Sequence, residues 1–179
     1  LLMVLGFLMT SPALQAAPPQ APAARNVLIL HSYHPELPWT KDIDDAMTAV
    51  LESAPGQLHI HSEYMDTKRI FDPTHLKNLY TLFAHKYAHT KFAVILTSDD
   101  HAYTFINTHG EALFPGVPVV FCGVNDFQPQ DIRPGGGVTG VVEAIDMQAT
   151  IAIARGLHPK ARGIIAISDQ TLTGQANRR

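Results

Sequence analysis

Short apolar runs alternate with amphipathic stretches from Asn26 onward. Runs of strand length that are rich in Val, Ile and Leu predict strands at 26–33, 58–65, 92–97, 117–124, 138–144 and 163–168. Apolar residues at helical spacing predict the intervening helices, at 39–53, 72–87, 101–113 and 146–157. Strands that alternate with helices are typical of repeated βαβ units. The pattern therefore predicts an α/β fold with a Rossmann-like, mostly parallel sheet flanked by helices.

The ends of the predicted helices carry suitable capping residues. Pro38 and Thr40 precede the apolar positions of the first helix, and Asp72 followed by Pro73 opens the second. Asp146 is placed to cap the last predicted helix. These signals support the helix positions independently of hydrophobic spacing.

The first nine residues read LLMVLGFLM and are followed by an Ala- and Pro-rich stretch. Nine apolar residues are too few for a membrane span, which needs roughly 20, but they suit the apolar region of a signal peptide. We therefore expect residues 1–25 to be a truncated signal peptide with a Pro/Ala linker, cleaved near Ala16 or Ala23, and the protein to be exported to the periplasm. An uncleaved anchor is the alternative. A buried N-terminal helix is disfavoured by four prolines, Pro12, Pro18, Pro19 and Pro22.

Composition narrows the classes of function. The 179 residues suffice for one domain or one and a part, and 46% hydrophobic residues beside 16% charged residues argue against disorder. A formal net charge of -3 without a long basic run predicts no nucleic-acid partner. The single cysteine, Cys122, cannot form an internal disulfide, and its apolar surroundings favour a packing role.

Polar and aromatic side chains follow each of the first four predicted strands. They are His31 to His34 with Trp39, Tyr64 to Asp66, Ser98 to His101, and Gly123 to Asp126. Ligands of open parallel sheets bind at the carboxyl ends of the strands, where helix N-termini converge. These residues therefore suit a site for a small polar or aromatic molecule. Helix capping and turn formation are the alternative explanation for each of them.

Three sharper motifs do not predict chemistry. The Gly-rich stretch 135–140 matches a dinucleotide pattern but precedes a strand instead of opening a helix. Residues 98–101 hold the residue types of a hydrolytic triad, but neighbours around a helix start do not generally align as nucleophile, base and orienting acid. His59 and His61 share a strand face, yet no third metal ligand has a suggestive spacing. We expect no catalytic residue, no cofactor and no metal in this segment.

Several stretches together resemble a known family. They are VLILHSYHPELPWT, EYMDTKR, AVILTSDDHA, LFPGVPVVFCGVNDF and TGVVEAIDMQATIAIARGLHP, and they cover most of residues 26–174. The chain resembles periplasmic domains related to ABC-transporter substrate-binding proteins. It is most similar to the version that forms the extracytoplasmic sensor domain of bacterial sensor histidine kinases and diguanylate cyclases.

The resemblance implies two Rossmann-like lobes that hold a ligand between them. On this interpretation residues 26–143 form the first lobe, and residues 144–179 hold the crossover and the start of a truncated second lobe. Glu143 and Asp146 would lie at the hinge. Carried over position by position, the ligand contacts of the first lobe would be Ser32, Tyr33, Trp39, Asp66, Ser98, Asp99 and Asn125.

The resemblance also implies the function. We expect a sensory input domain that binds a small molecule and signals through membrane-anchored segments. A soluble binding component that works with the subunits of an ABC importer is the alternative. Trp39 and the tyrosines suit an aromatic or amino-acid-like ligand, whereas the short polar side chains would suit an anion or a sugar.

Overall fold

A computed structural model describes residues 24–125, 127, 128, 132, 137–170, 174 and 175. Five strands alternate with helices except between the last two. In chain order the elements are β1 (Arg25–His31), α1 (Pro38–Glu52), β2 (Leu58–Tyr64), α2 (Pro73–Lys86), β3 (Phe92–Ser98), α3 (Asp99–Leu113), β4 (Val119–Val124), β5 (Val138–Val142) and α4 (Met147–Leu157). The predicted leader lies outside the described residues up to residue 23, and Arg25 already belongs to β1.

All five strands are parallel and lie in the order β2-β1-β3-β4-β5. The predicted α/β class with a Rossmann-like parallel sheet flanked by helices is therefore confirmed. The chain moves outward from β1 to β2 and then crosses back to β3 on the other side of β1. The carboxyl ends of β1 and β3 thus form the switch point at which doubly wound sheets open a crevice.

The main core lies between the sheet and the helices α2 and α3. Leu28 and Leu30 of β1 and Ile95 of β3 pack there against side chains of the helices. The helix predicted at 72–87 is confirmed as α2, and its Leu79 and Phe83 are buried in this core. This face makes the sheet rigid behind the switch point.

The other side of the sheet carries a buried polar network beneath α1. Asp44 of α1 accepts hydrogen bonds from His31 Nε2 at 2.9 Å, Ser62 Oγ at 3.0 Å and Tyr64 OH at 3.2 Å. Burial raises the pKa of Tyr64 to about 12, with Asp44 adding to the effect. One carboxylate therefore fixes α1 to both β1 and β2.

The chain after β5 differs from the prediction in one element. Asp146 caps α4 as predicted, accepting from Ala149 N–H at 2.8 Å. The strand predicted at 163–168 is wrong, because residues 161–169 have no regular secondary structure. Ile165 and Ile167 are almost fully exposed, and no described strand pairs with them. A strand requires a neighbour for its backbone hydrogen bonds, whatever its apolar pattern.

Among the residues described, no helix combines the length and the apolar character that crossing a membrane requires.

Asp44→Ala should lower the free energy of unfolding by about 2–3 kcal/mol, because it leaves the buried donor on His31 and the half-buried donor on Tyr64 without their acceptor. Asp45→Ala is the matched control. Asp45 forms an exposed ion pair with Lys41, so its loss should leave the free energy of unfolding nearly unchanged. Urea unfolding of both variants measures the difference. Equal effects would contradict the role given to Asp44.

Candidate functional site

Ser32 joins the carboxyl ends of β1 and β3 to the turn after β2. Its N–H and hydroxyl both donate to the carbonyl oxygen of Ser98, at 3.2 and 2.8 Å, and its Oγ accepts from Ala102 N–H at 2.8 Å. Its own carbonyl accepts from the N–H and the hydroxyl of Thr67, at 2.9 and 2.6 Å. The buried Ser32 side chain therefore fixes the start of α3 against β1. Its predicted contact with a ligand stays a prediction.

Asp99 lies at the switch point in an unusual state. It is a non-glycine residue with φ 67°, and its side chain is only 3% exposed. Its Oδ1 accepts from Trp39 Nε1 at 3.1 Å, whereas its buried Oδ2 has no hydrogen-bond partner among the described residues. Buried polar atoms are normally paired, and strained backbone concentrates at functional sites. Asp99 is therefore the strongest single candidate for a ligand contact.

Gly123 makes room for this carboxylate. It has φ 69°, and a Cβ at this position would lie 3.2 Å from Asp99 Oδ1. A side chain there would be strained and would crowd the carboxylate. Because Gly123 has no side chain, the backbone at the end of β4 lies directly beside the Asp99 carboxyl group. We use "switch-point site" for Trp39, Asp99, Asp100, Gly123 and Asn125.

Burial raises the pKa of Asp99 to about 7. The indole hydrogen bond from Trp39 opposes this rise, the charges of Asp100 and Glu143 add to it, and Lys68 lowers the pKa. The carboxyl group therefore changes its ionisation near neutral pH. Burial also raises the pKa of Cys122 to about 11, so its thiol is not activated.

Asn125 belongs to the same site through Asp100. Asp100 Oδ1 accepts from Asn125 N–H at 2.9 Å, and Asp100 Oδ2 accepts from Asn125 Nδ2 at 3.1 Å. Asn125 Nδ2 also donates to the carbonyl of Gly123 at 3.2 Å. Both amide hydrogens are thus used in holding the loop after β4 against α3.

Two other predicted residues lie around the carboxyl end of β2. The Tyr33 ring is buried, with Lys68 Nζ 4.8 Å from its centre. Asp66 has φ 54°, and its carboxylate lies 3.4 Å from His34 Nδ1 and 3.5 Å from Arg69. The described contacts connect Asp66 to these neighbours and not to Asp99.

The predicted hinge residues lie on either side of the exit from β5. Glu143 N–H donates to the carbonyl of Val124 at 2.8 Å, and its charge acts on Asp99. Asp146 caps α4, in which no residue is buried. Glu143 therefore adjoins the switch-point site, while Asp146 marks the start of a helix that does not pack into this core. The hinge role of both stays a prediction.

The predicted ligand contacts omit His31 and Asp44, which form a hydrogen-bonded chain with the predicted Ser98. His31 Nδ1 lies 2.8 Å from Ser98 Oγ, and His31 Nε2 lies 2.9 Å from Asp44. Burial lowers the pKa of His31 although Asp44 opposes the shift, so the ring is neutral. Because the Asp44 carboxylate accepts from Nε2–H, Nδ1 accepts from the Ser98 hydroxyl. Ser98 is fully buried, so this chain orients a hydroxyl and does not present a nucleophile.

The residues left out of the predicted contacts differ in how clearly the sequence indicates them. His31 and His101 already lie among the polar side chains that follow the predicted strands, and Thr67 and Lys68 directly follow the predicted Asp66. Asp44 lies within α1 with no distinguishing pattern around it. Only the packing of α1 on the sheet brings it to His31.

Two further features of the described residues lie away from this site. No group of three or more His, Cys, Asp or Glu side chains there is arranged to hold a metal ion. His61 instead packs edge-on against Tyr87 and Phe92. A cavity of about 640 Å³ lies between the ends of α2 and α3 and the Pro115–Pro118 turn. It lies at the amino-terminal ends of β3 and β4, away from the strand ends described above.

Comparison of the chain with models of known protein families, with curated proteins and with solved structures gives no match. Its function must therefore be inferred from the chemistry of the site.

Asp99→Asn should make the protein more stable above neutral pH. The pKa of Asp99 is raised from 3.8 to about 7 in the folded state, so folding favours the protonated carboxyl. The wild-type protein therefore loses stability as the pH rises from about 4 to about 7. Asn tolerates φ 67° and still accepts from Trp39.

Thermal unfolding at about pH 5 and about pH 8 measures this effect. At about pH 8 we expect the variant to exceed the wild type by about 1–2 kcal/mol, and at about pH 5 the gain should be smaller. Asp45→Asn, on the exposed surface of α1, controls for a change in net charge. A variant less stable than wild type at about pH 8 would contradict the assigned ionisation.

Proposed function

We propose that the chain is the small-molecule-binding part of an extracytoplasmic sensory input domain, as in receptors of the sensor histidine kinase type. The observation that carries the proposal is Asp99. A buried carboxylate, one of whose oxygens has no partner among the described residues, lies on a strained backbone at the point where doubly wound sheets bind ligands. The fold tolerates this arrangement at a cost that a ligand contact would explain.

The ligand would be held between this lobe and a second one. Support comes from the residues after β5, which do not belong to the first core. No residue of α4 is buried, and Ile153 and Leu157 on it are 64% and 72% exposed. Exposed apolar side chains in this number suit an element that packs in a separate unit. Closure of two lobes around the ligand would then shift the population from open to closed, which is the signal.

We propose no catalytic role for this segment. Hydrolysis by the Asp44, His31 and Ser98 chain would require the Ser98 hydroxyl to reach a substrate, and that side chain is fully buried. The partial burial of Cys122, which raises the pKa of its thiol, also disfavours a cysteine nucleophile. The polar groups of the site thus suit ligand recognition.

A soluble binding component of an ABC importer is the second candidate, because the same lobe and the same site would serve it. The coding sequence beyond Arg179 separates the two. An apolar span of about 20 residues followed by signalling segments would indicate a receptor. A stop codon after a second lobe would indicate the importer component.

Thermal unfolding in the presence of a panel of anionic, neutral and cationic small molecules tests the binding function. We expect at least one compound to raise the melting temperature of the wild type, by about 2–4 °C for each kcal/mol of binding linkage. Asp99→Asn should abolish this rise without unfolding the protein, whereas Asp45→Asn should retain it. An identical rise in both variants would remove Asp99 from the site, and no rise with any compound would oppose the binding function.

A further inference from the structure

We propose that the switch-point site takes an organic cation, with its ammonium or amidinium group on the Asp99 carboxylate and its apolar body against the Trp39 indole. This inference rests on the proposed binding function and specifies the ligand class. Three independent features of the site support it: the hydrogen-bond donors already used, the balance of charge, and the exposure of Trp39.

The side-chain donors near Asp99 are used within the lobe. The Trp39 indole N–H donates to Asp99 Oδ1, and both amide hydrogens of Asn125 donate to Asp100 and to the Gly123 carbonyl. The Ser32 hydroxyl donates to the Ser98 carbonyl. These groups have no hydrogen left for a ligand acceptor.

The hydroxyl hydrogens of Ser98 and Thr67 are also used within the lobe. Ser98 donates its only hydroxyl hydrogen to His31 Nδ1, as the Asp44 hydrogen bond on Nε2 requires. Thr67 donates its hydroxyl to the Ser32 carbonyl, so Thr67 Oγ1 accepts from His101 Nδ1 at 2.8 Å. His101 Nε2 is then a buried lone pair without a partner among the described residues. Asp99 Oδ2 and His101 Nε2 are therefore acceptors that a donor-bearing ligand would satisfy.

The charges around Asp99 also favour a cationic ligand. The carboxylates of Asp100 and Glu143 both act on Asp99, against the single positive charge of Lys68. Lys68 is itself paired with Asp169 at 3.0 Å. An anionic ligand beside Asp99 would add a third or fourth negative charge to a poorly hydrated site, whereas an ammonium group would compensate the charge already there.

Trp39 supplies the apolar contact. Its ring is 46% exposed, although its indole N–H is tied to the buried Asp99. Trp39 is thus the exposed side chain next to a carboxyl group whose Oδ2 is buried. An exposed indole beside a carboxylate suits the body of an organic cation, since aromatic faces attract cations.

The test uses Trp39 itself, the only tryptophan of the chain. Benzylammonium, benzyl alcohol and benzoate are titrated into the 179-residue chain, with tryptophan emission and thermal unfolding as two readouts. These probes share a ring and differ in charge. We expect saturable binding of benzylammonium with a Kd at least about tenfold below those of the other two probes, equivalent to about 1.4 kcal/mol.

Asp99→Asn tests the assignment to one residue. Asn keeps the acceptor for Trp39 but replaces Oδ2 with an NH₂ donor. The affinity for benzylammonium should therefore fall about tenfold or more, and the affinity for benzoate should rise relative to it. Asp45→Asn should leave all three affinities unchanged. The comparison of probes in the wild type needs no variant, so it stands even if Asp99→Asn fails to fold.

The other outcomes separate this inference from the binding function. If the wild type bound benzoate or benzyl alcohol as tightly as benzylammonium, the cation class would be wrong. If Asp99→Asn then lost the binding of these probes, the site at Asp99 would still stand. Unchanged benzylammonium binding in Asp99→Asn would overturn the role of Asp99. If none of the three probes bound but a neutral or anionic compound of the thermal unfolding panel raised the melting temperature, only the cation class would be wrong. Absence of any active compound would overturn both proposals.

Discussion

The hydrogen bonds of Ser32 are the interaction on which the site depends. Through this one residue the ends of β1 and β3, the start of α3 and the turn after β2 are held within hydrogen-bond distance of each other. Each of these backbone groups would otherwise be a buried donor or acceptor without a partner. The position of Asp99, which immediately follows Ser98, is a consequence of this arrangement. A rigid support beneath a strained residue is what allows the strain to persist.

Asp99 combines two features that lower the stability of the fold, a buried carboxyl group and a strained backbone. Burial of the carboxyl favours its protonated form, and the neighbouring carboxylates of Asp100 and Glu143 act in the same direction. A residue chosen for stability alone would be neutral and would accept φ 67° more readily, as Asn or Gly does. The retained carboxylate is understandable if a positive group of the ligand compensates it. Binding would then supply free energy that folding alone does not.

Most of the fold could be predicted from hydrophobic spacing, because that spacing reports local burial. The strand at 92–97 and the helix with Leu79 and Phe83 on its inner face are confirmed nearly to the residue. The prediction of a strand at 163–168 is wrong, although it rests on the same hydrophobic spacing as the confirmed strands. An apolar run indicates that a segment is to be buried, but a strand also needs a neighbouring strand with which to pair. In the described sheet, no strand pairs with residues 163–168.

The sequence by itself determined the order of the elements, their parallel arrangement and the principle that chemistry gathers at the strand ends. Tertiary structure decided which of those ends are neighbours. The pairing of β1 with β3 brings Trp39 to Asp99 across 60 positions, and the packing of α1 brings Asp44 to His31. Periodicity is a local property and carries no record of such pairs. Which donors are used and which acceptors remain, and hence the charge of the expected ligand, follows only from the assembled hydrogen bonds.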